Sequence, residues 1–183
     1  MLIRSPEQDI QKILFTEEQI AARVAELGKT LSEKFKGEKP LMLCVLRGAA
    51  FFFTDLCRKM DCMMDMDFIS ASSYFNGTKS SGTVRLLKDC SIDMTGRHVV
   101  IVEDIIDSGL TLSYLRKLFA SREPASITTV SFLDKQTGEP NREDVDFCGF
   151  LIPDDFVVGY GLDYADYYRN LPYIGILKEE CYL

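Results

Sequence analysis

Apolar residues recur along the chain at two different intervals. Ile20, Val24, Leu27, Leu31 and Phe35 fall three or four apart, behind a Thr16 and Gln19 pair with capping-box spacing. That pattern predicts an amphipathic helix stopping near Gly37 and Pro40. "LMLCVL" (Leu41–Leu46) is continuously apolar, as a strand covered on both faces is. "RGAAFFFTDLCRKM" reads as a turn and a helix, with Phe51, Phe52 and Phe53 as core, and "MDMDFISASSY" alternates with period two. Residues 76–82 are Gly, Ser, Thr, Lys and Asn, the composition of a mobile loop, and residues 84–87 suit a returning strand. "HVVIV" is strand, residues 110 to about 120 are helix, and "SITTVSFL" is strand again. "DKQTGEPNREDVD" is polar loop, and "FCGFLIP" and "YIGIL" are short strands. Strands alternating with helices predict an α/β fold with a mainly parallel sheet. With no linker, repeat or low-complexity segment, residues 1–183 form one domain, with a small lobe built from the two ends.

Composition narrows the class. A length of 183 residues suits one buried core, and 46% hydrophobic with 27% charged residues is ordinary for a globular chain. The net charge of -7, from 28 acids and 21 bases, opposes broad nucleic-acid binding but admits a small anionic substrate held by a few bases, amides and a divalent cation. Six scattered cysteines without a C-x-x-C pair, and a single histidine (His98), speak against zinc and for free thiols in a reducing cytoplasm. The N-terminus "MLIRSPEQDI" lacks a signal-peptide run, and no segment approaches the ~20 apolar residues of a membrane span.

One stretch concentrates chemistry. "VVIVEDIIDSGLTL" (residues 99–112) has an apolar strand, then Glu103, Asp104 and Asp107, then a Ser108-Gly109 turn into the helix. Ligands of open parallel sheets sit beyond the carboxyl ends of the strands, so these acids reach the functional edge. Behind them Gly109 allows close backbone approach, Ser108 and Thr111 offer hydroxyls, and the helix N-terminus offers free amides to a phosphate. Carboxylates repel phosphate, so their own partners are sugar hydroxyls or a hydrated cation. A plain helix cap facing water needs one acid, not three. "GTKSSGTV" lacks the Lys-Ser/Thr of a Walker A loop, and "GYGLDY" lacks the third glycine of a dinucleotide fingerprint.

The same stretch resembles the phosphoribosyl-pyrophosphate signature of the type I phosphoribosyltransferases, and further motifs narrow the resemblance to the hypoxanthine-guanine branch. "LRGAAFF" (residues 46–52) resembles its pyrophosphate loop and "SSYFNGTKSSGTVRLLKD" (72–89) its flexible catalytic loop. "FLDKQTGEP" supplies a lysine after a strand, and "IPDDFVVGYGLDYADYYRNLPYIGIL" (152–177) is similar to its purine-binding hood. The resemblance implies a type I phosphoribosyltransferase fold: a mainly parallel twisted sheet flanked by helices, with a hood from the N-terminal segment and roughly residues 134–183.

It also implies transfer of 5-phosphoribose from phosphoribosyl pyrophosphate to a 6-oxopurine, with Mg²⁺. Glu103 and Asp104 would hold the ribose hydroxyls and metal, Asp107 would serve as general base, and Asp107, Ser108, Gly109, Leu110 and Thr111 would cradle the 5′-phosphate. Arg47, Gly48 and Arg169 would contact pyrophosphate, around a cis peptide frequent in the family. Lys135 would donate to the 6-oxo group, Phe156 would stack on the purine, the Val157 backbone would read its edge, and Asp163 would join the base site and a second Mg²⁺. Ser73 and Tyr74 would lead a closing loop. His98 receives no role. Ala49 and Ala50 stand where the family commonly has Gly or Ser. The resemblance further implies a homodimer or homotetramer. Three rivals stay open: another acceptor base on the same fold, a regulatory protein that senses phosphoribosyl pyrophosphate and binds nucleic acid, and a nucleotide-binding module without chemistry.

Overall fold

The computed structural model describes residues 5–76, 79–135 and 145–182, with backbone alone for 72–76 and 79–83. In chain order the elements are β1 (Ile10–Phe15), α1 (Glu17–Lys34), β2 (Leu41–Leu46), α2 (Ala50–Lys59), β3 (Asp65–Asn76), β4 (Lys79–Lys88), β5 (His98–Ile106), α3 (Leu110–Ala120), β6 (Ser126–Lys135), β7 (Phe147–Ile152), β8 (Val157–Val158) and β9 (Ile174–Leu177).

The main sheet has the order β4-β3-β2-β5-β6-β7, parallel except for β4, which runs antiparallel to β3. Continuous apolar runs in β2 and β5 suit the centre of such a sheet, because both faces are covered. Met42, Cys44, Val100 and Val102 pack against α1 and α2, where Ile20, Val24, Leu27, Leu31, Phe52, Phe53 and Leu56 are buried. Leu41, Leu43, Val99 and Ile101 pack on the other side against Leu115 and Phe119 of α3. Each such side chain contributes about 1.5–3 kcal/mol on full burial, so the two layers together fix the sheet's centre.

The capping box at α1 forms: the Gln19 N–H donates to Thr16 Oγ1 at 3.4 Å, and the Thr16 N–H donates to Gln19 Oε1 at 2.9 Å. Gly28 brings α1 onto α2, since a Cβ there would lie 2.6 Å from Lys59 Cβ. A second, three-stranded antiparallel sheet, β1-β9-β8, joins residues from both ends of the chain.

Three expectations change. Most of the loop expected over 76–82 is a ribbon of β3 and β4, with Asn76 opposite Lys79 and Phe75 opposite Ser80; ladder pairing uses backbone groups and needs no apolar pattern. β5 runs on past Val102 through Ile106, because its pairing with β6 continues to Asp134, so Glu103 and Asp104 lie within the strand. Asp134 and Lys135 likewise end β6 rather than open a loop, and residues 136–144 of that loop lie outside the described residues. No helix among the described residues is long and apolar enough to cross a membrane.

Candidate active site

β5 lies between β2 and β6, and all three run parallel, so their carboxyl ends open on one edge. There Glu103 is 6% exposed, and its Oε1 has no hydrogen-bond partner among the described residues. Burial, with the neighbouring Asp104 charge adding to it, raises the Glu103 carboxyl well above its usual range. Burial also pushes Asp104 up to about 6, against the Ile105 N–H donated to its Oδ1 at 2.8 Å and the charge of Arg169. Two adjacent carboxylates held this way favour a cation or hydroxyl donors beside them.

The turn after β5 closes on Gly109, whose φ of 75° is left-handed, and α3 begins at once. Its first backbone bond is Ser113 N–H to Gly109 O at 2.9 Å, so the preceding amides lack helical acceptors. No acid occupies this first turn. The result is an anion cradle directly behind the acids.

Two other segments complete the wall. The Leu46–Arg47 peptide between β2 and α2 is cis, as the resemblance implies. At Gly48 a Cβ would sit 1.5 Å from Asp104 Oδ2, so any larger residue would displace the Asp104 carboxylate. A Cβ on Gly161 would in turn meet the Gly48 carbonyl at 2.0 Å, and thus the segment before Arg169 packs on the β2–α2 turn backbone to backbone. Arg169 is locked there: its Nη1 donates to Gly161 O at 2.7 Å, its own carbonyl accepts the Gly161 N–H at 2.9 Å, and its Nη2 pairs with Asp163 at 2.6 Å. Arg47 pairs with Asp166 at 2.8 Å. An open cavity of about 430 Å³ results, lined by Arg47, Gly48, Glu103, Asp104, Asp107, Ser108, Gly109, Leu110, Thr111, Asp163 and Arg169 among others.

Of the expected base contacts, Asp163 lines this cavity, whereas Lys135, Phe156 and Val157 are not brought into the lining. Lys135, at the end of β6, pairs with Asp154 at 3.0 Å. Phe156 stacks on Tyr182 with ring centres 4.8 Å apart and meets Tyr164 edge-on at 5.6 Å. Val157 opens β8 and is buried. Ser73 and Tyr74 contribute backbone to β3, and their side chains lie outside the described residues. His98 starts β5 at the opposite end and contacts Ser126 Oγ at 2.7 Å. Burial, then Glu103 and Asp104, push the Cys44 thiol up to about 12, which removes it as a nucleophile.

Among the described residues no three His, Cys, Asp or Glu side chains converge on one point. A cation of the Mg²⁺ type, held by one or two carboxylates plus substrate oxygens, does not need such a cluster. The orphaned Glu103 oxygen beside Asp104 fits that mode. Asp166 and Tyr182 escaped the sequence reading, although Asp163, Asp166 and Arg169 stand at three-residue intervals, a signal of one charged ladder.

Comparison with known proteins agrees with this geometry. The phosphoribosyl transferase domain family matches residues 11–165. The chain is 51% identical over 174 residues to the hypoxanthine-guanine phosphoribosyltransferase of Bacillus subtilis, covering 95% of this chain and 97% of that protein. It is 49% identical to the bifunctional protein TilS/HprT of Listeria monocytogenes over 97% of this chain, of which it spans 28%. A hypoxanthine phosphoribosyltransferase structure from Staphylococcus aureus superimposes with a TM-score of 0.94 at 39% identity, over 100% of both chains. One from Trypanosoma cruzi, solved as a ternary substrates complex, gives 0.89 at 44% identity over 96% of this chain and 100% of that one. With its strand order, its acid-and-turn corner and these likenesses together, the chain belongs to the phosphoribosyl transferase family, in its hypoxanthine-guanine phosphoribosyltransferase branch.

Proposed function

We propose that the protein transfers 5-phosphoribose from phosphoribosyl pyrophosphate to hypoxanthine or guanine, giving the purine nucleotide and pyrophosphate in purine salvage. One observation carries the reading most: the buried Glu103 and the half-buried Asp104 meet the α3 amide cradle, Arg47 and Arg169 in one cavity. That cavity supplies the chemistry the transfer needs, with donors for phosphate, acids for sugar and metal, and two guanidinium groups for a polyanionic leaving group.

The 5′-phosphate binds against the turn of Asp107, Ser108, Gly109, Leu110 and Thr111, and the ribose hydroxyls bind Glu103 and Asp104. As the bond from the anomeric carbon to pyrophosphate oxygen breaks, Arg47, the Gly48 backbone and Arg169 balance charge on the leaving group. The purine nitrogen bonds to that carbon, and its proton passes to the Asp107 carboxylate. Lys135 donates to the 6-oxo group, which an adenine amino group cannot accept. Phe156 stacks on the ring, Val157 reads its edge by backbone, and Ser73 and Tyr74 help exclude water. Mg²⁺, held by Glu103, Asp104 and Asp163, would neutralise pyrophosphate oxygens.

The same reading takes residues 1–183 as one domain whose β1-β9-β8 sheet belongs to the hood. It makes the protein a homodimer or homotetramer, supported by exposed Phe51, Met66, Phe68 and Leu87 on α2, β3 and β4. A cytoplasmic setting is supported by six cysteines that form no disulfide among the described residues.

The test is nucleotide formation, followed by absorbance, from phosphoribosyl pyrophosphate, Mg²⁺ and each of hypoxanthine, guanine, xanthine and adenine. Turnover of hypoxanthine or guanine but not adenine is expected, lost on chelation and cut about 10²–10⁴-fold in Asp107→Asn. Pyrophosphate-sensitive binding of phosphoribosyl pyrophosphate with no turnover of any base would overturn the catalytic reading.

A further inference from the structure

One carboxylate serves two arginines of the cavity wall. Asp166 Oδ1 lies 2.8 Å from Arg47 Nη2 and 3.4 Å from Arg169 Nη2. We infer that Asp166 is a resident stand-in for pyrophosphate, a side chain that holds both guanidinium groups and competes for them with the pyrophosphate of substrate and product. The inference rests on the reading of Arg47 and Arg169 as pyrophosphate contacts.

Three features of the segment suit a carboxylate that is held in place yet exchanges. The backbone presents it deliberately: Ala165, Asp166 and Tyr168 all have left-handed φ values, of 51°, 68° and 74°, without a glycine among them. The Asp166 N–H donates to Asp163 Oδ2 at 2.8 Å, and Tyr164 and Tyr167 exchange backbone bonds of 3.3 and 3.0 Å, so this conformation is pinned from both sides.

The pair itself is weak by location. Arg47 and Asp166 side chains are 69% and 64% exposed, where solvent screens an ion pair and little holds it against a multiply charged anion. Finally, Arg169 does not depend on Asp166. Its bonds to Gly161 O and Asp163 remain when Asp166 swings away, so the guanidinium stays aimed while its outer partner is exchanged. A carboxylate that merely positioned Arg169 would duplicate Asp163.

The experiment compares wild type with Asp166→Asn and Asp166→Gly, both of which tolerate the left-handed backbone. Binding of magnesium pyrophosphate is measured by calorimetry, alongside the KM for each substrate. Removing the competitor should tighten pyrophosphate and lower the KM for phosphoribosyl pyrophosphate by about two- to fivefold, less at high salt, while the purine KM moves far less. Equal or weaker pyrophosphate binding in both variants would overturn the inference, since a positioning or purely structural carboxylate gives that result. Wild-type protein that binds no magnesium pyrophosphate would remove the functional reading and this inference with it, whereas wild-type binding with unimproved variants removes the inference alone.

Discussion

The Glu103 carboxylate is buried beside Asp104 with one oxygen unpartnered among the described residues. Burial raises Glu103, and it pushes Asp104 up to about 6. Carboxyls in the unfolded chain ionise near 4, so the folded chain keeps protons that the unfolded chain releases. Without added ligand, stability therefore falls as pH rises from about 4 through about 6 for Asp104, and the raised Glu103 carboxyl carries the fall further. Glu103→Gln removes part of this fall. Thermal melts should show the variant several degrees above wild type at pH 8 and closer to it at pH 5, together with weaker phosphoribosyl pyrophosphate binding. A variant that melts below wild type at pH 8, or keeps its full pH slope, would contradict the burial account.

At the scale of elements, β3 holds the opposite case. Asp67 is buried too, yet its carboxylate accepts N–H bonds from Phe68 and Ser91 at 2.7 Å each, the Ser91 hydroxyl at 2.8 Å, and Lys88 at 3.2 Å. Burial alone would raise it, but those donors hold it well below the ordinary range, so its contribution is lost as pH falls. It fastens β3 to β4 and to the segment leading into β5. Asp67→Ala leaves several donors unanswered and should cost about 1–3 kcal/mol in urea unfolding with an unchanged m-value; a loss under 0.5 kcal/mol would show the network is not structural. Elements of this sheet differed in how far the sequence disclosed them. β2, β5 and α3 were legible because burial on both faces, or a 3.6 period, writes itself into residue type. β1, "IQKILF", was not: half its residues are exposed, and it is held by pairing with β9, far along the chain. Both strands of the β3–β4 ribbon were legible, and only its tip, expected as loop over 76–82, was not, because polar residues pair through backbone alone. The acid-and-turn corner was legible since strand, carboxylates and glycine turn are contiguous, whereas Asp166 acquires meaning only when Gly161 packs on Gly48.

The whole molecule couples these parts. The Tyr168 hydroxyl donates to Asp9 Oδ2 at 2.9 Å, and the Lys178 N–H donates to Asp9 O at 3.0 Å, so the N-terminal segment braces the same stretch that carries Asp163 and Arg169. Phe51, Met66, Phe68 and Leu87 are exposed apolar side chains on α2, β3 and β4 that contact between copies would cover. Sedimentation should give a dimer or tetramer, and Phe68→Lys with Leu87→Lys should shift it to monomer; a monomeric wild type would contradict the assembly. The most direct measurement is a crystal structure with phosphoribosyl pyrophosphate, Mg²⁺ and an unreactive purine analogue. The account predicts the 5′-phosphate on the amides after Asp107, ribose and metal at Glu103 and Asp104, and pyrophosphate between Arg47 and Arg169 with Asp166 released. Pyrophosphate bound away from both arginines, or phosphate away from the α3 turn, would contradict it.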